Sequence, residues 1–232
     1  SMMADAEIIA VMYETMAALG FREVLIRVNN RKILNGLAAY AGFPTEKSVA
    51  VLRAIDKLDK QGWDSVRAEL LASAEEEDIG LSEPQADAVK RFLDLRAGTQ
   101  LETLATVERL MANSPMALEG VRELREIVGH VEALGVPADK WTIDISVARG
   151  LGYYTGPVFE TILTNLPSIG SVFSGGRYDD LVRRFSPNTV PATGTSLGVD
   201  RLFAAMEQLN LVVREKTVSR VMVLNFDPAC AL

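Results

Sequence analysis

Three stretches in the second half of the chain place arginines, tyrosines and glycines where they can do chemistry. Arg149 follows Ile143, Ile145 and Val147, which alternate with Thr142, Asp144 and Ser146 and read as a strand. By parity Arg149 falls on the apolar face of that strand. A lone guanidinium there is costly unless it meets an anion or the register shifts at Gly150. A solvent-exposed arginine at a strand end is the alternative. The second stretch is Ser174-Gly175-Gly176-Arg177-Tyr178-Asp179. Paired glycines let a backbone approach a ligand closely, although a plain hairpin turn has the same signature. The third is Gly194-Thr195-Ser196-Leu197-Gly198-Val199-Asp200-Arg201-Leu202. Its glycines bound a short strand and suggest close approach by backbone or ligand. Arg201 then opens a helix, where a cation opposes the helix dipole. Helix stability therefore does not explain it, whereas a phosphate at that helix start would. An exposed surface arginine remains the other reading.

Other chemistries find little support. There is no G-x-x-x-x-G-K-[ST] loop and no G-x-G-x-x-G fingerprint, and no serine is read as a nucleophile in a G-x-S-x-G elbow. One histidine, His130, cannot build a zinc site of several histidines and cysteines, and its place near the end of a helical pattern suits a structural role. One cysteine, Cys230, cannot close an internal disulfide, so a cytoplasmic protein is expected. The chain opens on no signal-peptide pattern and has no apolar run long enough for a bilayer, so no membrane role is expected. A net charge of -7 argues against non-specific nucleic-acid binding as the main affinity. A local patch on such a protein can still hold RNA.

The elements that must position these residues change character along the 232 residues. Ser1-Met2-Met3 is set aside from fold reasoning. Asp5 to Leu19 reads as an amphipathic helix closed by Gly20, and Val24, Ile26 and Val28 as a strand. From about Leu37 to Ala133 the pattern is helical, with a break at Gly62, a capping box at Ser82 and Gln85, and a cap at Ser114 before Pro115. This unit is expected to pack around its own small core. Strand signals return after Gly135-Val136-Pro137, at Ile143 to Val147, Val158 to Leu163, Ser171 to Phe173 and Thr193 to Gly198. Tyr153 to Gly156 reads as a turn, Val199 to Leu209 as a helix, and Val221 to Asn225 as the first strand of a further unit. The strands do not alternate regularly with helices, so an α+β fold with a mostly antiparallel sheet is expected rather than a doubly wound parallel one.

In this order, the motifs resemble the histidyl-tRNA synthetase family of class II aminoacyl-tRNA synthetases. Ala148-Arg149-Gly150-Leu151-Gly152-Tyr153-Tyr154-Thr155-Gly156-Pro157-Val158-Phe159-Glu160 is similar to its first histidine-specific motif, and Ser174 to Asp179 to its second. Gly194 to Leu202 is similar to class II motif 3, and Ile26-Arg27-Val28-Asn29-Asn30-Arg31 to the run before the family's helical insertion. Gly152 departs from the acidic residue that many members carry. The resemblance implies a class II antiparallel sheet core interrupted by an inserted helical domain. Residues 1–36 would be core after motif 2, 37–135 the insertion, 136–213 core again, and 214–232 a linker and the first strand of an anticodon-binding domain. Motifs 1 and 2 are expected upstream of Asp5, and an isolated fragment of this extent is expected to be inactive.

The implied activity is that of a histidine–tRNA ligase: ATP-dependent activation of histidine, then transfer to tRNA(His), by a homodimer in the intact enzyme. Arg149 would meet the α-phosphate of ATP and the histidine carboxylate. Tyr153, Tyr154, Tyr178, Gly175 and Gly176 would line the histidine pocket. Gly194, Thr195, Gly198 and Arg201, with Arg149, would hold ATP, which brings Mg2+; no protein-bound metal is expected. Fixed cations suit a reaction that builds charge between two anions, and tyrosine hydroxyls can read imidazole nitrogens. The alternative is a catalytically inactive relative, the regulatory subunit of ATP phosphoribosyltransferase in histidine biosynthesis. Retention of Arg149, Tyr154 and Arg201 argues for the ligase. A synthetase-like domain attached to a kinase finds no kinase motif in its favour.

Overall fold

A computed structural model describes residues 1–73, 79–148, 152–212 and 221–222. Helix α1 (Met2–Ala18) buries Ala6, Ile9, Met12 and Met16 along one stripe. It begins earlier than expected, because Ser1 stands at its N-cap and Met2 already packs on the core. Strand β1 (Val24–Asn30) leads into the short helices α2 (Arg31–Asn35) and α3 (Leu37–Ala41). Asn30 ends the strand and caps α2, accepting a hydrogen bond from the Lys32 amide at 3.0 Å. Helices α4 (Ser48–Ile55), α5 (Leu58–Leu71), α6 (Glu83–Leu93), α7 (Gln100–Leu110) and α8 (Pro115–Ala133) follow. Gly62 breaks α5 with φ +75, a conformation that glycine adopts without steric cost. The capping box at Ser82 and Gln85 forms as expected, and Ser114 caps α8 ahead of Pro115.

The second half supplies β2 (Trp141–Ile143), β3 (Pro157–Leu163), β4 (Ser171–Arg177), β5 (Thr193–Leu197) and α9 (Val199–Gln208). The five strands form one sheet in the order β2-β1-β3-β4-β5. β1 and β2 run parallel and the other three pairings are antiparallel, so the α+β expectation holds.

Two expectations need correction. The strand read over Ile143 to Val147 lies earlier, at Trp141–Ile143, and stops where Asp144 folds the chain. One Asp144 carboxylate oxygen accepts from the Ser146 amide at 3.0 Å and from the Ser146 hydroxyl at 2.6 Å, a side-chain turn that competes with strand pairing. Ile143, Ile145 and Val147 are all buried, so the apolar spacing reported burial rather than a strand, and the parity argument for Arg149 lapses. Among the described residues, the helical segment also has no core separate from the rest. Its buried residues join α1 and the sheet in one apolar cluster. Helix α8 lies against α1 and α2, and Asn30 of β1 donates to the Gly120 carbonyl and to Glu123 of α8.

Candidate active site

Directly paired residues of an antiparallel sheet share a face, so the register sorts the side chains. Ile26 and Val28 pair with Thr161 and Phe159, on the face that α1 and α8 cover. Residues on the other face form two rows. One runs Arg27, Glu160, Ser174, Ser196 across β1, β3, β4 and β5. The next runs Asn29, Val158, Gly176, Gly194.

Three tyrosines stand over the second row. Tyr153 and Tyr154 have ring centroids 4.6 Å apart, and Tyr178 meets them at 6.2 and 6.5 Å. The glycines beneath are there for clearance. A Cβ on Gly176 would stand 2.6 Å from the Pro157 carbonyl oxygen and 2.9 Å from the Tyr154 ring, and one on Gly194 2.7 Å from the Tyr178 hydroxyl. Gly175 and Gly176 therefore lie within β4 and do not form the hairpin turn that their sequence also allowed. Burial pushes the Tyr154 hydroxyl well above the usual phenol range, and its hydrogen bond to Tyr153 adds to the shift. The three hydroxyls form a half-buried group able to donate and accept.

The loop that carries Tyr178 is tied at both ends. The Tyr178 amide donates to the Ala192 carbonyl at 2.8 Å, and the Asp179 carboxylate accepts from the Ala192 amide at 3.1 Å. Arg177, on the covered face, reaches Asp179 at 3.2 Å, the Ser1 carbonyl at 2.9 Å, and the fully buried Asp5 of α1. Burial raises the Asp5 pKa, and the Arg177 guanidinium opposes that shift.

The first row carries a buried ionic cluster that the sequence reading did not single out. Arg27 donates to Asp144 at 2.8 Å, to Asp59 of α5 at 2.6 Å, to Ser146 at 2.9 Å and to Glu160 at 3.4 Å. Arg96 adds a second cation to Asp144 at 2.9 Å. Burial works against the Arg27 charge, but Asp144, Asp59 and Glu160 outweigh it and raise its pKa. Burial likewise works against the Asp144 charge, and Arg27, Ser146 and Arg96 reverse the effect, leaving its pKa below the ordinary carboxylate range. The available signal was a lone charge in each of two apolar strands, Val24–Asn30 and Pro157–Leu163, because charges so buried require partners.

Beyond that row, at the end of the face away from the tyrosines, lies a cavity of about 450 Å³. Arg27, Lys60, Glu160, Ser171 and Arg201 are among its walls. Arg201 starts from the first turn of α9 and turns back along β4, where it donates to the Ser171 carbonyl at 2.7 Å. Gly198, just before α9, donates its amide to the Val172 carbonyl at 2.8 Å.

The face thus brings together Tyr153, Tyr154, Tyr178, Gly176 and Gly194 at one end, with Arg201 and Gly198 toward the other. Gly175 and Thr195 pair with each other on the covered face, and the Thr195 hydroxyl is spent on the Ser174 carbonyl at 2.9 Å. Arg149 lies outside the described residues, as does most of the strand read at Val221 to Asn225. Gly194 to Gly198 does have G-x-S-x-G spacing, but Ser196 sits inside β5 and not at a strand-to-helix turn. The single histidine of the chain, His130, is on α8 across the sheet, so no serine–histidine pair arises.

Known proteins resemble the chain in sequence and in fold. Residues 1–202 match the sequence profile of the family described as histidyl-tRNA synthetase. The chain is 39% identical to a histidine–tRNA ligase of Clostridium tetani over 226 residues, covering 97% of this chain and 49% of that protein. A crystal structure of histidyl-tRNA synthetase from Nostoc sp. PCC 7120 superposes with a TM-score of 0.82 at 32% identity, over 92% of this chain and 48% of that one. A Bacillus halodurans structure, described as an ATP phosphoribosyltransferase regulatory subunit/histidyl-tRNA synthetase, shares the fold at 23% identity with a TM-score of 0.71, over 88% of this chain and 50% of that one. The chain spans about half the length of the relatives it matches.

Proposed function

The chain belongs to the histidyl-tRNA synthetase family, and from that premise we propose that it forms the histidine side and part of the ATP side of a histidine–tRNA ligase site. The observation that carries this reading is the shared sheet face, with three tyrosines at one end and Arg201 in a cavity wall toward the other. Histidine, with its imidazole among Tyr153, Tyr154 and Tyr178, would direct its carboxylate along the face toward ATP. The carboxylate oxygen attacks the α-phosphorus, a bond to pyrophosphate breaks, and histidyl-adenylate forms. A tRNA(His) hydroxyl then attacks the carbonyl and releases AMP. Arg149 would stabilise the charge that develops between carboxylate and phosphate. Arg201 would hold the phosphates, which bring Mg2+ with them.

Activity belongs to the whole protein, a cytoplasmic homodimer in this reading, because ATP in this family is held from two sides and motif 2 would supply the other. Among the described residues no helix is long and apolar enough to cross a membrane. The regulatory-subunit alternative keeps the fold without the chemistry, and the retained Arg149, Tyr154 and Arg201 favour the ligase.

The test is histidine-dependent exchange of pyrophosphate into ATP by the intact protein, beside calorimetric titration of the 232-residue chain with histidine. Exchange slowed on the order of 10²–10³-fold by Arg149→Ala, with histidine binding weakened by Tyr178→Phe, is expected. An intact protein without exchange would return the reading to a regulatory role.

A further inference from the structure

The charges around the cavity divide into two groups. Arg27 is committed to Asp144, Glu160 and Asp59, so its charge is not free to meet a ligand. Lys60 and Arg201 also line the cavity. Among the described residues, neither has a carboxylate within ion-pair distance. Two cations that line one cavity without an ion pair among the described residues favour an anionic occupant.

They reach it from different parts of the chain. Arg201 comes from the first turn of α9, after β5, whereas Lys60 comes from the first turn of α5, in the helical segment. The contact that brings α5 to the sheet is next to Lys60. Asp59 meets Arg27 at 2.6 Å, where Arg27 is almost fully buried and Asp59 is half exposed. Arg27 is itself fixed by Asp144 and Glu160, so it offers Asp59 a stationary anchor.

We infer that Lys60 is a further phosphate-facing cation of this cavity, and that Asp59 is the positioning residue that holds it there through Arg27. The inference rests on the nucleotide reading of the Arg201 end of the face. It adds that the helical segment contributes a wall and a charge to that site. The ligand class is a polyphosphate, met by Arg201 from one side and Lys60 from the other.

The experiment is calorimetric titration of the intact protein with inorganic pyrophosphate, ATP and adenosine. Variants are Lys60→Met, Lys60→Arg, Asp59→Asn, Asp59→Glu and Arg201→Met, with Arg53→Met on the exposed side of α4 as control. Thermal melts establish that each folds. Lys60→Met should weaken pyrophosphate and ATP by about tenfold, the loss of one charge-assisted contact, and leave adenosine unchanged. Lys60→Arg should retain most of the affinity. Asp59→Asn should lose part of it, and Asp59→Glu should recover that part. Unchanged affinity in Lys60→Met beside a weakened Arg201→Met would overturn the inference and leave the nucleotide reading standing. Equal weakening of adenosine would overturn it too, because Lys60 would then act only through structure. Absence of pyrophosphate and ATP binding by the unmodified intact protein, or unchanged binding by Arg201→Met, would overturn the nucleotide reading and the inference with it.

Discussion

The backbone of Gly194 passes so close to Tyr178 that a Cβ at residue 194 would stand 2.7 Å from the phenolic oxygen. The ring rests on an edge strand whose lack of a side chain sets where the hydroxyl ends up. Gly194→Ala should therefore push the Tyr178 ring aside, since the nearest atom belongs to a side chain that can move. We expect histidine affinity to fall about tenfold with little change in melting temperature, at the low end of the usual cost of overpacking. Gly176→Ala should differ, because its Cβ would meet the Pro157 carbonyl as well as the Tyr154 ring. Backbone cannot yield so cheaply, so a loss of roughly 1–3 kcal/mol in stability is expected by denaturant titration.

The tyrosine hydroxyls should carry the choice of amino acid. In the intact protein, Tyr154→Phe or Tyr178→Phe should raise the KM for histidine with a smaller effect on kcat, by a factor matching about 1–3 kcal/mol for one polar group left unpaired. Unchanged KM in both variants would remove them from the histidine pocket. Absorbance of the phenolate gives an independent check. Burial raises the Tyr154 pKa, so in the folded chain this residue should stay protonated at pH values where an ordinary tyrosine ionises.

Arg149 should act on activation more than on transfer. Arg149→Ala in the intact protein should slow adenylate formation on the order of 10²–10³-fold, the usual cost of losing one preorganised charge partner. Arg149→Lys should recover only part of the rate, since an ammonium cannot bridge phosphate and carboxylate as a planar fork does. Single-turnover measurement of both steps would show it, and a fully active lysine variant would exclude the bridging geometry.

Asp144 should make the chain sensitive to acid. Its pKa in the folded chain is depressed, so the unfolded chain binds its proton first as pH falls. The stability it contributes is present above the ordinary carboxylate pKa of about 4 and drains away below that, through the depressed value. Melting temperature should fall in that window, and the Asp144→Asn variant should show a shallower fall. At neutral pH, Asp144→Ala should cost roughly 3–5 kcal/mol, the range for breaking a buried pair by removing one partner. A neutral-pH loss below 1 kcal/mol would mean that Glu160 and Asp59 suffice for Arg27.

What could be read in advance was mostly local. The caps at Ser82 and Ser114, the break at Gly62, and the strands of Val24–Asn30 and Thr193–Leu197 follow from side chains acting on their own backbone. Asp144 defeated the strand reading because one carboxylate serves both the Ser146 turn and the distant Arg27. The two glycines of β4 could be placed only once the strands beside them were known, because what they make room for comes from Pro157 and Gly194. Motif order located the tyrosines. It carried no information about Asp59 and Lys60, whose importance arises only where α5 meets the sheet.

The position of β1 in the sheet also constrains how the chain is made. Arg27 and its partner Asp144 are 117 residues apart, and β1 pairs only with β2 and β3. During synthesis, β1 emerges well before β2 and β3, with both edges open until these partner strands follow. Unpaired strand edges of that kind invite association with other chains. The helices made in the interval have local contacts and can form first. Docking of α8 onto α1 would then hold the two ends of the long excursion together before the sheet closes, so substitutions at the α1–α8 contact should slow folding more than they speed unfolding. Yield in a heterologous host should track that contact more closely than it tracks the tyrosines or arginines of the site.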